Sequence, residues 1–369
     1  MIAVVSCSHY PDDERIYYKE IKTLSNRKIK IDYYTLSSIK VSLSNNYINH
    51  INYDDSKHTI KQYIAAVKQN LLKFPLKVIH IHEPELFQLA IFTKKVFGTK
   101  IIYDVHEDYP IMINTFSSWN KYIKYLKIKF WIFKEKLFLR YVDEIIIASS
   151  TITNSGYKKR GFKPILLENF PLKFFIRSLK NKTLKNNSII YHGNMGPERG
   201  IVELINAMPI VIKEIPNASL LLIGTFRTSS YKKEVNDAID RLGLKKYISL
   251  KNHVLHSDIW DILECHKIGV IPFNDNPLTR YATPTKLFEF MAAGCQIVCP
   301  DLYPMRRYDV IGAHFFIPGD INSLGNSIIR AAKNMSNKNI LKNQLKIKSD
   351  YNWDNNSSKL INLYKRLLP

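Results

Sequence analysis

The chain has 369 residues, 46% of them hydrophobic. That is too long for one ordinary core, enough for two domains of roughly 150–200 residues each, and too apolar for disorder to be the main state. Its net charge of +22 favours anionic partners: nucleic acid, an acidic membrane surface or phosphorylated ligands. Lys- and Asn-rich usage in an AT-rich genome would produce the same charge. Cys7, Cys265, Cys295 and Cys299 form no CxxC pair, and Cys295 and Cys299, four apart, have no His or third Cys near by. This argues against a zinc site and for reduced thiols in a cytosolic protein.

The opening Met1–Arg15 stretch has too short an apolar run for a signal peptide and no basic leader. No window approaches about 18 uninterrupted apolar residues, the length a membrane-spanning helix needs. The expected location is therefore the cytoplasm. Short apolar runs alternate with longer amphipathic stretches. The pattern predicts strands at Ile2–Ser6, Ile29–Thr35, Val78–His82, Ile101–Asp104 and Glu144–Ala148. Between them it predicts helices at Ile16–Leu24, Thr59–Leu72, Glu85–Val96 and Trp119–Tyr141. A break follows at Phe170–Ser188, where Pro171 and a polar run read as an interdomain linker.

The alternation restarts with strands at Ser188–His192, Ala218–Ile223, Ile248–Leu250, Ile268–Pro272 and Gln296–Pro300. The matching helices are Gly200–Ile212, Lys232–Leu242, Ser257–Cys265, Pro284–Ala293 and Ser323–Ser336. Such alternation builds a parallel sheet covered on both faces. Two doubly wound units facing across a cleft are expected, with ligands at the carboxyl ends of the strands.

Two stretches of the second half carry chemistry. In Arg280–Gly294, Thr283 is placed to cap a helix and Pro284 to occupy its first position. Lys286 then lies in the first turn, where a cation opposes the helix dipole unless it serves an anion. Glu289 follows one turn later on the same face, where a carboxylate can accept hydrogen bonds from a ribose diol. In Tyr191–Gly200 a strand runs through Gly193 and Asn194 to Arg199 at a helix start, where its guanidinium can fork onto diphosphate oxygens. This is neither the dinucleotide fingerprint nor a Walker loop. Taken singly, both stretches also read as ordinary helix ends with solvated charges.

In the first half, Asp104, His106, Glu107 and Asp108 crowd the end of one strand, and His80, His82, Glu83 and Glu85 the end of another. His82 with His106 is too sparse for a metal site, so no metal is expected. No G-x-S-x-G elbow occurs.

In combination these residues resemble glycosyltransferase family 4, on the GT-B fold, over nearly the whole chain. His9, Asp13 and Arg15 match an H-x-x-x-D-x-R-I opening, and Tyr103–Glu107 a strand-end His motif. Arg199-Gly200 resembles a basic-Gly diphosphate motif, and Pro284–Gly294 resembles P-x-K-x-x-E-[YF]-M-A-x-G. Tyr351–Trp353, ahead of Leu360 and Tyr364, resembles a terminal helix that crosses back onto the first domain. Two positions depart: Tyr281 stands where many members have an acid, and Asn194 where many have an arginine.

The resemblance implies domains at 1–175 (acceptor-binding) and 176–348 (donor-binding), with a returning helix at 349–369. It implies retaining, metal-independent sugar transfer without a cofactor. The donor is a nucleoside-diphosphate sugar, UDP ahead of GDP, and the acceptor a lipid-linked or cell-surface polysaccharide, as in capsule or lipopolysaccharide synthesis. His106, Arg199 and Lys286 would be catalytic. Gly193, Asn194, Arg199, Gly224, Tyr281, Thr283, Lys286, Leu287 and Glu289 would hold the donor. His9, Asp13, Arg15 and His82 would face the acceptor.

Lys121–Arg140 carries seven basic residues and one acidic residue, with Tyr122, Leu126, Phe130, Phe133 and Leu137 at helical spacing. It reads either as a peripheral contact with an anionic membrane on its inner face or as a core helix with a solvated lysine face. A nucleic-acid-binding protein is the main non-enzyme rival, but no stacking motif or known module supports it, so no nucleic-acid partner is expected. Another enzyme of the same fold, such as a nucleotide-sugar epimerase or a phosphorylase, is the remaining alternative.

Overall fold

A computed structural model describes residues 1–117, 119–149, 157–176, 187–252, 254, 256–280 and 283–368. The chain divides into two units, Met1–Asn169 with Trp353–Pro369, and Phe170–Asn352.

The first unit is built on a parallel sheet of β1 (Ile2–Val5), β2 (Ile31–Leu36), β3 (Ile48–Tyr53), β4 (Val78–Ile81), β5 (Lys100–Val105), β6 (Glu144–Ile147) and β7 (Ile165–Leu166). The order is β3-β2-β1-β4-β5-β6-β7. β1 and β4 are buried at every position, which is why they read as continuous apolar runs. β3, of sequence Ile-Asn-His-Ile-Asn-Tyr, went unpredicted: it is an edge strand with a single neighbour and only Ile48 buried.

The first helix also differs from expectation. Glu14–Ile21 winds as a wide π-helix, followed by one α-turn at Lys22–Ser25. Thr59 opens the helix Ile60–Leu71 with a capping box closed by Gln62. The helix expected at Trp119–Tyr141 forms as Lys121–Phe138, and an unexpected one, Tyr109–Phe116, precedes it; each is N-capped by a polar side chain. The helix Trp353–Leu367 completes this unit. Trp353 Nε1 donates to Thr23 Oγ1 (2.9 Å) and Asn356 Nδ2 to the Glu168 carbonyl (2.8 Å), while Leu360, Leu363 and Tyr364 are buried.

The second unit has the parallel order β10-β9-β8-β11-β12-β13. These strands are β8 (Ser188–His192), β9 (Ser219–Ile223), β10 (Ile248–Lys251), β11 (Ile268–Val270), β12 (Gln296–Pro300) and β13 (His314–Phe316). The short edge strand β13 and the helix Asn337–Ser349 were not anticipated. Phe170, assigned from sequence to a linker, is a core residue of this unit, edge-on to Phe288 at 4.8 Å and beside Tyr308 and Tyr351. Residues 177–186 of that stretch lie outside the described residues.

Both sheets reverse their winding once. The reversal falls between β1 and β4 in the first unit and between β8 and β11 in the second. Crevices open at the carboxyl ends of strands at such points.

Candidate functional site

In the second unit, His192 and Gly193 lie at the carboxyl end of β8, and Ile271–Phe273 continue past β11. Two glycines let the loops close here. Gly224 has φ +143°, and a Cβ on it would lie 2.1 Å from the Gly193 carbonyl oxygen. Gly193 has φ +112°, and its Cβ would meet Lys286 Nζ at 3.2 Å. Any side chain at either position would displace the ammonium or the backbone beside it.

Phe273 carries both cations. Arg199 lies 4.6 Å and Lys286 Nζ 5.2 Å from its ring centroid, and Lys286 Nζ is also 5.3 Å from the ring of Tyr191. Burial, reinforced by Arg199 and opposed by Glu289, lowers the Lys286 ammonium to about 7. Glu198 accepts from Arg227 at 2.8 Å and sits 3.4 Å from Arg199 Nε. Asn194 is fixed by Thr225, whose hydroxyl donates to its Oδ1 at 3.0 Å.

The helix Thr285–Ala293 begins beside this cluster, with Pro284 at the cap position and no side-chain cap bond. This corrects the expected capping role of Thr283, whose Oγ1 instead accepts from the Tyr308 hydroxyl at 3.2 Å. Proline at the cap leaves the first-turn amides free of a side-chain acceptor. Glu289 is buried, with Oε2 3.0 Å from His192 Nε2. Leu287 is fully buried in the core. Tyr281 lies outside the described residues.

Arg199, Lys286, Gly193, Gly224 and Asn194 thus come together. Sequence reasoning missed His192, Tyr191 and Phe273. Their signal was positional: each ends or follows a strand flanking the winding reversal.

In the first unit, a chain of histidines runs inward. His9 Nδ1 is 2.7 Å from Glu83 Oε1, His9 Nε2 is 3.3 Å from His106 Nδ1, and His106 Nε2 is 3.1 Å from His82 Nδ1. Glu83 also accepts from the Ser6 hydroxyl (2.6 Å) and the Cys7 amide (3.1 Å). Burial alone would raise Glu83. The hydrogen bond and charge of His9, with His82 and Ser6, outweigh it and pull the carboxyl to about 2. Burial works against a charged His9, but Glu83 raises it on balance. Burial takes His106 down to about 4 despite the Asp104 carboxylate 3.3 Å away, so its ring is neutral at neutral pH.

Of the other expected acceptor residues, Arg15 and His82 lie deeper. Asp13 accepts from the amides of Arg15 and Ile16 at 2.8 and 2.9 Å and so caps the first helix. Arg15 is buried, bonded to Asp104 at 3.0 Å and to the Leu167 carbonyl at 2.6 Å. His82 is 2% exposed, whereas the side chains of His9 and His106 are 27% and 15% exposed. Of these three histidines, the last two reach the surface and can meet a ligand directly. Glu20, absent from the sequence reading, is wholly buried beside Arg15. Burial and the neighbouring Asp104 push its carboxyl well above the usual range.

Residues 186–334 match the family described as Glycosyl transferases group 1. No curated protein sequence matches the chain. Among solved structures, the sucrose-phosphate synthase of Thermosynechococcus elongatus is similar with a TM-score of 0.80 at 16% identity, covering 99% of this chain and 98% of that one. HepE of Anabaena, in a complex with UDP and glucose, has a TM-score of 0.76 at 12% identity, covering 99% of both chains. WaaG, a glycosyltransferase involved in lipopolysaccharide biosynthesis, has a TM-score of 0.70 at 11% identity, covering 98% of this chain and 99% of that one. The chain therefore has a two-domain GT-B fold, and residues 186–334 of it match the family described as Glycosyl transferases group 1.

Proposed function

We propose that the protein transfers a sugar from a nucleoside diphosphate, UDP ahead of GDP, to a lipid-linked or cell-surface polysaccharide acceptor with retention of configuration. The observation that carries this reading is the pairing of Arg199 and Lys286 on Phe273 at the sheet reversal, beside an uncapped helix start. Breaking a glycosyl–phosphate bond puts negative charge on the departing diphosphate and positive charge on the sugar. Two fixed cations and the first-turn amides of Thr285–Ala293 stabilise the diphosphate as that charge develops. They occupy the role a divalent ion would otherwise fill, so the transfer needs no metal. Glu289 accepts from the ribose hydroxyls, replacing its contact with His192. UDP and glucose bound to the HepE structure support a donor of this class.

In the first unit, His9 and the neutral His106 supply hydrogen bonds to sugar hydroxyls, with Asp13, Arg15 and His82 positioning them from behind. No side chain is assigned as a covalent nucleophile. A front-face route, in which the departing phosphate takes the acceptor proton, accounts for retention.

Among the described residues, no helix is long and apolar enough to cross a membrane. The helix Lys121–Phe138 buries only Glu135 and Phe138, while Tyr122, Leu126, Phe130 and Phe133 are 82, 64, 65 and 58% exposed. The expected apolar stripe thus points into solvent, surrounded by lysines. It fits peripheral attachment to the anionic cytoplasmic face of the plasma membrane, where a lipid-linked acceptor resides.

The test is to incubate the full chain with UDP-, GDP- and ADP-sugars and measure released nucleotide. Release from a UDP-sugar, unchanged by added Mg²⁺ or Mn²⁺, is expected. Near-wild-type turnover of both Arg199→Ala and Lys286→Ala would sink the assignment.

A further inference from the structure

Behind the histidines of the first unit lies a buried group of side chains of which sugar transfer, as proposed, uses only His82. His80 and His82 project from the same side of β4 and its end, two residues apart, and their rings stack at 4.6 Å. Asp104 comes from the adjacent β5. Glu20 comes from the wide helix Glu14–Ile21, whose π-turns bring Arg15 and Glu20 to one spot, 3.2 Å apart. Such turns are rare and are often kept at functional sites.

We propose that Glu20, His80, His82 and Asp104 form a binding site for one divalent transition-metal ion, with zinc the ion that the donor set favours. Each residue offers one ligand atom, and the four atoms lie within 4.8 Å of one another. His80 Nε2 is 3.9 Å from Glu20 Oε2 and 4.0 Å from Asp104 Oδ2, and His82 Nδ1 is 3.6 Å from Asp104 Oδ2. Tetrahedral zinc with bonds of about 2.0–2.2 Å holds its ligand atoms roughly 3.3–3.5 Å apart. These three pairs therefore need to close by a few tenths of an ångström, and the most widely spaced atoms of the four by a little over one.

A second observation is independent of spacing. Glu20, His80 and Asp104 are fully buried, and His82 nearly so. Yet Glu20 Oε2 and His80 Nε2, which face one another across the cluster, have no hydrogen-bond partner. Buried polar atoms are not normally left in this state, and an ion or water is the usual resolution.

The second shell fits as well. The Tyr364 hydroxyl lies 2.9 Å from His80 Nδ1, so a proton held there leaves the Nε2 lone pair facing Glu20 and Asp104. Two imidazoles and two carboxylates form a nitrogen–oxygen set suited to zinc. The four residues are buried, so the ion is structural. It joins the first helix to β4 and β5 and, through Tyr364, to the helix Trp353–Leu367.

The experiment is elemental analysis of the full chain, purified without chelator and with any tag removed. Zinc titration against a chromophoric chelator and Co²⁺ substitution follow. About one zinc per chain and the intense visible absorption of tetrahedral Co²⁺ are expected. Glu20→Gln and His80→Gln each abolish stoichiometric zinc. Tyr364→Phe weakens affinity by roughly tenfold, as loss of an outer partner does. His58→Gln, elsewhere in the same unit, changes nothing. The proposal falls if wild-type protein carries no metal and binds Zn²⁺, Co²⁺ and Mn²⁺ no better than Glu20→Gln does. That outcome would assign the unpartnered atoms to a buried water and leave the reading of the donor site untouched. If a ligand variant fails to fold, the metal content of the wild-type chain still decides.

Discussion

Arg199 and Lys286 share one aromatic ring: the Phe273 centroid is 4.6 Å from the guanidinium and 5.2 Å from the ammonium. Two like charges are held close by a neutral π-face, with Glu198 against Arg199 and Glu289 favouring the charged Lys286. The arrangement stores positive potential for an anion. Arg199→Ala and Lys286→Ala should each cost about 2–4 kcal/mol of transition-state stabilisation, measured as kcat/KM for donor turnover. Phe273→Leu keeps both charges and removes their support, and should lose about 1 kcal/mol.

Donor binding should depend on pH through Lys286. Its free ammonium titrates at about 7, and a bound diphosphate favours the charged form. Affinity is thus at full strength below pH 7 and declines as pH rises above it, by up to about tenfold per unit until the pKa of the bound state is reached. Titration calorimetry with UDP across this range should show the decline. Lys286→Met should flatten it.

Glu289→Gln should weaken UDP binding by about 1.5–3 kcal/mol, the worth of hydrogen bonds to a charged acceptor. The same substitution should have far less effect on 2′,3′-dideoxy-UDP, which lacks the hydroxyls. An equal loss with both ligands would assign Glu289 to folding through His192 instead.

Acid stability should report on Glu83. Its folded pKa is near 2 against an ordinary 4.5, so it contributes stability above pH 4.5 that is lost as pH falls toward 2. The contribution is on the order of 3 kcal/mol. Urea unfolding between these limits should show the loss, and Glu83→Gln should remove that part of the slope.

The exposed helix predicts salt-sensitive lipid binding. Each basic group near an anionic leaflet is worth about 1 kcal/mol, so neutralising Lys124, Lys127 and Lys129 together should lower partitioning onto anionic vesicles by roughly a hundredfold. Phe130→Ser with Phe133→Ser should weaken it further. Hydrolysis of a soluble donor should be unaffected. Binding that is indifferent to anionic lipid would remove the membrane assignment.

The two parallel sheets were legible because their central strands are buried on both faces and so spell uninterrupted apolar runs, as in β1 and β4. The edge strands β3 and β13 were not: with one neighbour each, they need no such run. Arg199, Lys286 and Glu289 were visible through residue type and spacing along single stretches. His192, Phe273 and Glu20 were not, because strand order and a wide helical turn put them in place. Thr283 was misread because a proline at the cap position offers no sequence signal to distinguish it from the threonine before it.

The helix Trp353–Leu367 belongs to the unit that Met1–Asn169 begins. On a ribosome, the unit made first is thus the one finished last. Its Tyr364 position stays vacant, and His80 lacks that neighbour, until the whole Phe170–Asn352 unit has been synthesised and has had time to fold on its own continuous chain. Synthesis stalled or cleaved after Asn352 should leave a folded second unit tethered to an unfinished first one.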